Sequence, residues 1–349
     1  MKTRLTEVLG TKHPIVLAGM TYVTNPELVA AVSNAGGLGL FACGHLKPDQ
    51  TRDAVRQIKG LTDKPFGINS ALIFPLARGN VQVAIEEKVP VINYSLGRPW
   101  FIDAVHQYGG KVIATIATRR HAVRAEQFGV DAITVTGHEA AAHGGDVTSV
   151  VLIPQVASHV KVPVIGAGGF CDGRGLAAAL LLGAEGVSMG TRLMMTQESA
   201  LHENFKQACL KASEDDTLYS TRFDSMPSRT LKTKVTEKLV KRGLPFFEIL
   251  TSTNQMTKEL GLSWREAFRV AQAMKKGGLP YMNQGRMSAG FLRAMKATYY
   301  GDEDTGILFC GQSCGMVSDI PTCQEVIERI VAEAEQLLKT AKDKFSGKT

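Results

Sequence analysis

Short apolar segments alternate with longer amphipathic segments over residues 1–195 of the chain. The short segments are rich in Val and Ile and nearly continuously apolar, which is typical of parallel strands buried on both faces. They predict eight strands, at residues 14–18, 37–41, 65–69, 89–93, 111–115, 132–136, 162–166 and 186–189. The segments between them predict helices, among them residues 26–35, 49–60, 98–108, 118–128 and 173–183.

Local signals support these helix boundaries. Asn25 is a good N-cap, and Pro26 follows it at the first helical position. Gly36 and Gly183 lie where two of the helices should end. Eight consecutive strand–helix units favour a closed (β/α)8 barrel, and an open doubly wound sheet is the alternative.

The pattern changes after Met195. Residues 198–300 are more charged and predict helices without clear strands, at residues 203–212, 230–242, 245–259, 263–276 and 288–299. Ser263 and Glu266 have the spacing of a capping box, and a final amphipathic helix is predicted at residues 322–344. We therefore predict an α/β fold. A TIM barrel is expected from residues 1–197 plus 305–349, with a small, mostly helical inserted domain at residues 198–304.

The composition is that of a folded protein, with 44% apolar and 21% charged residues. The net charge of +7 is spread along the chain without a basic, aromatic-rich stripe, so we expect no nucleic-acid partner. No apolar run approaches the ~20 residues that span a membrane, and the first residues lack a signal-peptide core, so we expect a cytoplasmic protein. The six cysteines are expected to be buried, reduced thiols.

Glycine is unusually frequent. It accounts for 35 of the 349 residues, about a tenth of the chain, where ~7% is usual. Chemistry in a barrel lies at the C-terminal ends of the strands. Gly168 and Gly169 follow the seventh predicted strand, and Gly190 and Thr191 follow the eighth. Bare backbone N–H groups at such positions bind phosphate, so these ends predict a phosphate site, with tight turns as the alternative.

Two further strand ends fit a flat ligand. Ala18, Gly19 and Met20 end the first strand, where small residues leave room for a planar ring, although a simple turn explains them equally well. Asn69 ends the third strand and offers both a donor and an acceptor to a heterocycle or a ribityl hydroxyl. The alternative for Asn69 is a loop cap.

The segment after the sixth strand contains two of the eight histidines of the chain. His143 is surrounded by Ala and Gly, so we expect it to act as a general base or as a donor toward developing negative charge. His138 is predicted to be structural. Only Glu139 and Asp146 lie near the two histidines in sequence, so we expect no metal site.

Together these residues resemble the nitronate monooxygenase family, also known as 2-nitropropane dioxygenase. The resemblance rests on Gly137-x-Glu139-Ala140-x-x-His143, Asp172-Gly173-Arg174-Gly175 and Met189-Gly190-Thr191-Arg192, and on residues 14–20, 35–39, 64–69, 162–169 and 311–315. It covers nearly the whole chain. Its motifs are specific to a superfamily that also includes NADH:quinone reductases and flavin-type enoyl-acyl-carrier-protein reductases.

The resemblance implies an FMN-dependent oxidoreductase in which His143 is the active-site histidine and faces the flavin. It implies phosphate contacts from the seventh and eighth strand ends and a flavin ring against the first. The full cofactor-binding set is predicted as Ala18, Gly19, Met20, Asn69, Thr136, Ala141, Gly168, Gly169, Ser188, Met189, Gly190 and Thr191. Two positions depart from the family pattern. Members often have Gln, Asp or Glu in place of Thr136, and glycine is common in place of Ala142.

The activity that the resemblance implies is the oxidation of alkyl nitronates to carbonyl compounds, with O2 as the acceptor. The alternative is an NAD(P)H-dependent reductase of quinones or enoyl thioesters. In that case a basic stretch of the inserted domain would meet phosphates, with a solvated helix face as the alternative, at Arg229, Lys232, Lys234, Lys238, Lys241 and Arg242. A third hypothesis is a barrel that binds a phosphorylated metabolite without redox chemistry. We expect a small-molecule substrate and leave a homodimer open.

Overall fold

Eight parallel strands form a closed ring in the computed structural model, which describes residues 1–345 except residues 142 and 277. The strands are β1 (Ile15–Leu17), β2 (Gly39–Ala42), β3 (Phe66–Ala71), β4 (Val91–Ser95), β5 (Lys111–Ile116), β6 (Ala132–Thr136), β7 (Val164–Ala167) and β8 (Gly186–Met189). They are hydrogen-bonded in the order β1-β8-β7-β6-β5-β4-β3-β2, and a parallel bridge between Val16 and Leu38 joins the two ends. The predicted (β/α)8 barrel is confirmed.

Helices pack around the outside of this ring. They are α2 (Pro26–Asn34), α3 (Pro48–Leu61), α4 (Ala77–Glu86), α5 (Ile102–Gln107), α6 (Arg119–Gln127), α7 (Ser149–Ala157) and α8 (Gly173–Leu181). The short helix α1 (Arg4–Leu9) precedes β1, and its Leu5 and Leu9 pack in one apolar cluster with strand residues such as Val16 and Ile165. The Asn25 side chain accepts from the N–H of Leu28 at 3.0 Å, which confirms the predicted N-cap. Gly36 and Gly183 follow their helices with φ of +92° and +96°, a conformation that glycine adopts without strain.

One helix of the barrel is shorter than predicted. A helix was expected from residue 98 to residue 108, but α5 begins only at Ile102. Pro99 disfavours helical backbone at the residue before it, so Arg98 stays in the loop after β4. The loop thereby keeps a basic side chain at the C-terminal end of the barrel.

The chain between β8 and the last helix is mostly helical. It contains α9 (Thr191–Met194), α10 (Glu203–Leu210), β9 (Thr217–Ser220), β10 (Ser228–Leu231), α11 (Lys234–Arg242), α12 (Phe246–Glu259), α13 (Trp264–Lys276), α14 (Tyr281–Met295), a π-helix (Lys296–Tyr300) and a 3-10 helix (Gln312–Met316). The last element is α15 (Cys323–Phe345). At α13, the Ser263 N–H donates to Glu266 at 2.8 Å, which confirms the capping box.

The expectation that residues 198–300 lack strands was wrong. β9 and β10 pair antiparallel, and Thr230 bridges to Phe309 farther along the chain. The helix predicted to begin at residue 230 therefore begins at Lys234, because Thr230 belongs to the ladder. Thr233 marks the change, since its side chain accepts from the N–H of Thr236 at 3.2 Å and caps α11.

Helix α15 closes the outer layer of the barrel. It packs against α8 and α2, although more than 120 residues separate it in sequence from β8. A Cβ atom at Gly173 would lie 2.5 Å from Glu333 Cβ, so glycine permits the close approach of α8 and α15. The Glu333 carboxylate also accepts from the N–H of Gly173 at 2.8 Å. The outer helix beside β8 is thus supplied by the far end of the chain.

All six cysteines are buried and unpaired, as expected from the sequence. Within residues 1–345, apart from the two omitted positions, no helix is long and apolar enough to cross a bilayer.

Close packing of α2 on β2 leads to a prediction for stability. A Cβ atom at Gly39 would lie 2.1 Å from the carbonyl oxygen of Val29, a backbone atom that can move only with the helix. We expect Gly39→Ala to lower the free energy of unfolding by about 3 kcal/mol and to reduce Tm by several degrees in thermal unfolding.

The matched control for this substitution is Gly60→Ala. Gly60 lies within α3, and a Cβ atom there would meet nothing within 4 Å. Alanine should stabilise that helix by about 0.5–1 kcal/mol. Equal Tm values for the two variants would contradict the packing argument.

Candidate active site

A cavity of about 840 Å³ opens at the C-terminal ends of the barrel strands. Its wall combines strand ends with residues that follow β8, such as Phe291, Ile307 and Phe309. It is lined by His143 and by eleven of the twelve predicted cofactor residues, namely Ala18, Gly19, Met20, Asn69, Thr136, Ala141, Gly168, Gly169, Ser188, Gly190 and Thr191. The structure therefore brings residues from several strand ends into one site.

Met189 is the predicted cofactor residue that does not line the cavity. Its side chain is buried in the barrel core with 1% of its surface exposed. Its carbonyl accepts from the N–H of Ala18 at 3.1 Å and so ties the end of β8 to the end of β1.

At the ends of β7 and β8, glycine residues leave the backbone exposed to the cavity. Gly168 and Gly169 both have positive φ, at +106° and +79°. The N–H groups of Gly168, Gly169 and Gly190 have no hydrogen-bond acceptor in the described part of the chain. Successive N–H groups in this arrangement bind anions, and a phosphate group fits them.

Thr191 completes this part of the site. Its Oγ1 accepts from the N–H of Gly311 at 3.0 Å, and Gly311 itself lines the cavity. Because the hydroxyl oxygen is used as an acceptor there, the hydroxyl hydrogen is left to donate to a ligand. The predicted glycine segment at residues 311–315 therefore reaches the site through Thr191.

The strand ends β3, β4 and β5 contribute an uncharged polar network. The amide of Asn69 donates to Asn93, and the amide of Asn93 donates to Thr115 Oγ1 at 3.0 Å. A Cβ atom at Gly19 would lie 2.4 Å from Asn69 Cβ, so the glycine lets β1 and β3 converge. Amide and hydroxyl groups of this kind suit the heteroatoms of a planar ring.

The loop after β6 is fixed by a carboxylate. Both Glu139 oxygens accept from the N–H of Ser149 at 3.0 Å, at the first residue of α7. Ser149 Oγ also lies 2.9 Å from the carbonyl of Gly168, which couples this loop to the end of β7. A Cβ atom at Gly137 would lie 2.2 Å from Ser149 Oγ, so the motif needs glycine there. Ala142 lies outside the described residues.

His143 forms a dyad with Asp224. Its Nε2 lies 2.6 Å from Asp224 Oδ2, and Asp224 Oδ1 accepts from the N–H of Met226 at 3.0 Å. The Asp224 side chain is 6% exposed, whereas the His143 side chain is 28% exposed and faces the cavity. A carboxylate that accepts from Nε2 holds the tautomer in which Nδ1 is unprotonated, so Nδ1 is the atom able to accept a proton.

Other histidines and basic residues lie elsewhere. The His138 ring packs on Tyr219 with centroids 4.3 Å apart, consistent with a structural role. Arg229, from the predicted basic stretch, is buried and donates to the carbonyl of His138 at 3.1 Å. Burial lowers the pKa of Arg229 below its usual range. No member of that stretch lines the cavity in the described residues, so its predicted phosphate role finds no support there.

Three polar residues of the site were missed from the sequence. Asn93 and Thr115 end the fourth and fifth predicted strands, so the rule that identified Asn69 would have found them. Asp224 follows β9, which was itself missed, and lies 81 residues from His143. No spacing pattern links residues so far apart. Nowhere in the described chain do three or more His, Cys, Asp or Glu side chains form a metal-binding group.

Comparison with known sequences identifies the family. The model of the nitronate monooxygenase family matches residues 2–78 and 75–333. A protein of Mycobacterium tuberculosis is 38% identical over 98% of both chains and is named (3aS,4S,5R,7aS)-5-hydroxy-7a-methyl-1-oxo-octahydro-1H-indene-4-carboxyl-CoA dehydrogenase. A "probable nitronate monooxygenase" of Staphylococcus aureus is 31% identical, over 68% of this chain and 80% of that protein.

Solved structures agree with the fold. FabK from Thermotoga maritima is 35% identical with a TM-score of 0.80, covering 98% of this chain and 99% of that chain. A nitroalkane oxidase from Streptomyces ansochromogenes has a TM-score of 0.77 at 23% identity, covering 97% of this chain and 99% of that chain, a likeness of fold alone. The chain therefore belongs to the nitronate monooxygenase family and is an oxidoreductase.

Proposed function

We propose that the protein is an FMN-dependent oxidoreductase that acts on an acyl thioester of coenzyme A. The observation that carries this proposal is the His143–Asp224 dyad on the wall of a large, mainly apolar cavity. Three features of the site support it: the fit of the cofactor, the shape of the remaining cavity and the proton chemistry of the dyad.

The residues present fit a flavin mononucleotide. The N–H groups of Gly168, Gly169 and Gly190, which have no acceptor within the described residues, would hold the phosphate with the Thr191 hydroxyl. We call these four groups the phosphate cradle. The small residues at the end of β1 and the amide of Asn69 would hold the ring. When bound, FMN supplies the capacity to accept or donate a hydride. Family membership supports a flavin, and the phosphate cradle favours FMN among flavins.

The remaining cavity suits an apolar substrate. Its volume lies near the upper end of the ~300–1,000 Å³ usual for small-molecule sites, so a second ligand has room beside the cofactor. The wall opposite the strand ends contains Phe291, Ile307, Leu308 and Phe309. The relative from M. tuberculosis, matched over nearly its full length, is named as a carboxyl-CoA dehydrogenase, which supports a bulky thioester.

The dyad supplies the proton step. His143 Nδ1 accepts the proton from the carbon next to the thioester carbonyl, which is acidic because the carbonyl stabilises the resulting charge. Asp224 orients the ring and stabilises the imidazolium that forms. The hydride leaves the adjacent carbon for the acceptor that bound FMN would supply, so a saturated thioester becomes an α,β-unsaturated one. In the reductive direction His143 returns the proton, with NAD(P)H as the source of the hydride.

Oxidation of alkyl nitronates by O2 is the second candidate. It is favoured by the family model and by the S. aureus relative. His143 would then position the nitronate anion by a hydrogen bond. The apolar wall of the cavity gives no specific contact to such a small anion, which ranks this candidate second.

Anaerobic stopped-flow spectroscopy separates the two candidates. The flavin absorbance of the purified protein is followed after mixing with cyclohexanecarboxyl-CoA, with propyl-1-nitronate, and with NADH or NADPH. We expect the saturated thioester to bleach the flavin and to yield a product two hydrogens lighter by mass spectrometry. Bleaching by NAD(P)H followed by recovery with the unsaturated thioester also supports the proposal. Bleaching by the nitronate, with both thioesters inert, refutes it.

A further inference from the structure

One part of the cavity wall contains no predicted cofactor residue and is basic. It is formed by the loop after β4 and by α6 with the residue that follows it, which contribute Arg98, His121, Arg124 and Phe128. The guanidinium carbon of Arg98 lies 5.2 Å from the centroid of the Phe128 ring, and that of Arg124 lies 5.7 Å from the same centroid. Two positive groups thus share one aromatic ring at the edge of the cavity. We call Arg98, Arg124 and Phe128 the arginine pair site.

The arginine pair site has no counter-charge of its own. Within the described residues no carboxylate oxygen lies within 4.0 Å of Arg98 or Arg124. Some other arginines of the barrel do have a carboxylate partner, since Arg4 pairs with Glu185 and Arg52 with Glu87. Both guanidinium groups lie near one aromatic ring, so an anionic ligand that contacts both would offset the concentrated positive charge there.

The loop that presents Arg98 is held in a strained conformation. Leu96 has a φ of +51°, which side-chain-bearing residues rarely adopt. A Cβ atom at the next residue, Gly97, would lie 2.6 Å from Leu72 Cβ, so the loop is pressed against its neighbour. Residues in such rarely populated backbone conformations persist where the surrounding structure holds them, and they cluster at active sites and ligand clamps. The position of Arg98 is therefore fixed by the fold, even though its side chain is exposed.

We propose that Arg98 and Arg124 bind the diphosphate of an adenosine diphosphate group, the part that coenzyme A and NADPH share. Each guanidinium matches a phosphate in bidentate geometry, so two guanidiniums beside the same ring provide one partner for each of two linked phosphates. His121 lines the same wall and adds a donor. This inference rests on the proposed function, because that function requires a nucleotide-bearing ligand whose other end enters the same cavity as His143.

Isothermal titration calorimetry of the flavin-bound protein tests the site directly. Wild type and the double variant Arg98→Gln/Arg124→Gln are titrated with ADP, CoA and NADPH at low and at moderate salt. We expect the double variant to raise Kd for ADP about tenfold or more. We also expect the wild-type Kd for ADP to rise with salt, and that of the variant to rise less. Arg120→Gln, on an exposed residue of the same helix that does not line the cavity, is the matched control and should leave Kd unchanged.

The three ligands identify the source of the diphosphate. If the double variant has a higher Kd for CoA but an unchanged Kd for NADPH, the site belongs to the thioester carrier. If its Kd rises for NADPH but not for CoA, the site belongs to the hydride donor. Equal Kd values of wild type and double variant for all three ligands overturn the inference. If the double variant loses ADP affinity while wild type turns over no thioester, the site stands and the proposed function falls. If thioesters react, we expect the variant to raise KM and leave kcat unchanged.

Discussion

Replacing His143 with glutamine is expected to lower kcat by about 10²–10⁴-fold while the protein keeps its flavin, because general acid–base groups contribute factors of this size. The side chain lines the cavity, but its nearest polar partner is Asp224 rather than the phosphate cradle. Glutamine preserves a polar side chain of similar reach and cannot accept a proton at neutral pH. The measurement is steady-state turnover of the substrate identified by stopped flow, with flavin content from the absorbance spectrum.

Asp224→Asn tests whether the dyad acts as a unit. An amide at this position can no longer stabilise the imidazolium, so we expect a loss of kcat that is smaller than that of His143→Gln. The double variant should be little worse than His143→Gln alone, since paired catalytic residues are not additive. His159→Gln, on an exposed histidine outside the cavity, should retain wild-type activity. Wild-type kcat in His143→Gln would remove the dyad from the mechanism.

Gly190→Leu is expected to yield a folded protein without flavin. The backbone of Gly190 has φ of −97° and ψ of −74°, so a side chain does not strain it. A Cβ atom would make ordinary contacts, 3.4 Å from Met20 Sδ and 3.7 Å from Ala18 Cβ. The rest of the leucine side chain then has only the cavity to occupy, where it would exclude the cofactor.

Flavin content per protein chain and Tm are measured together for this variant. Gly60→Leu is the matched control, because Gly60 has open space around its Cβ position. We expect the control to keep both its flavin and its Tm. Full flavin occupancy in Gly190→Leu would refute the cofactor position. Substitution of Gly168 is less informative, since its φ of +106° makes any side chain strained in the absence of a cofactor.

The barrel was predictable from the sequence because its signals are local. Strand-length apolar runs, the Asn25 cap and the glycines after two helices all act within a few residues. The convergence of the predicted cofactor residues on one cavity was predictable for a related reason, since the ends of parallel strands must meet at one face of the barrel. Asn93 and Thr115 also end predicted strands, so the same geometry places them at this face.

Neither local signals nor strand ends predict the position of Asp224. Its place beside His143 depends on the β9–β10 hairpin, whose strands have only four residues each. The backbone of Arg229 in β10 donates to the carbonyl of Ala141, which brings the hairpin onto the loop after β6. A contact between two irregular segments 81 residues apart is fixed by tertiary packing and not by local pattern. Asp224, the second residue of the dyad, therefore could not be predicted from the sequence alone.

The position of α15 has a consequence for how the chain acquires its fold. During synthesis β8 emerges long before α15, so the apolar groove between α8 and α2 stays uncovered while more than 120 further residues are made. Contacts of such large sequence separation form slowly, and exposed apolar surface favours aggregation in the meantime. We expect α15 to pack on α8 and α2 last. The docking of this C-terminal helix is then the step that completes the native fold of the nascent chain.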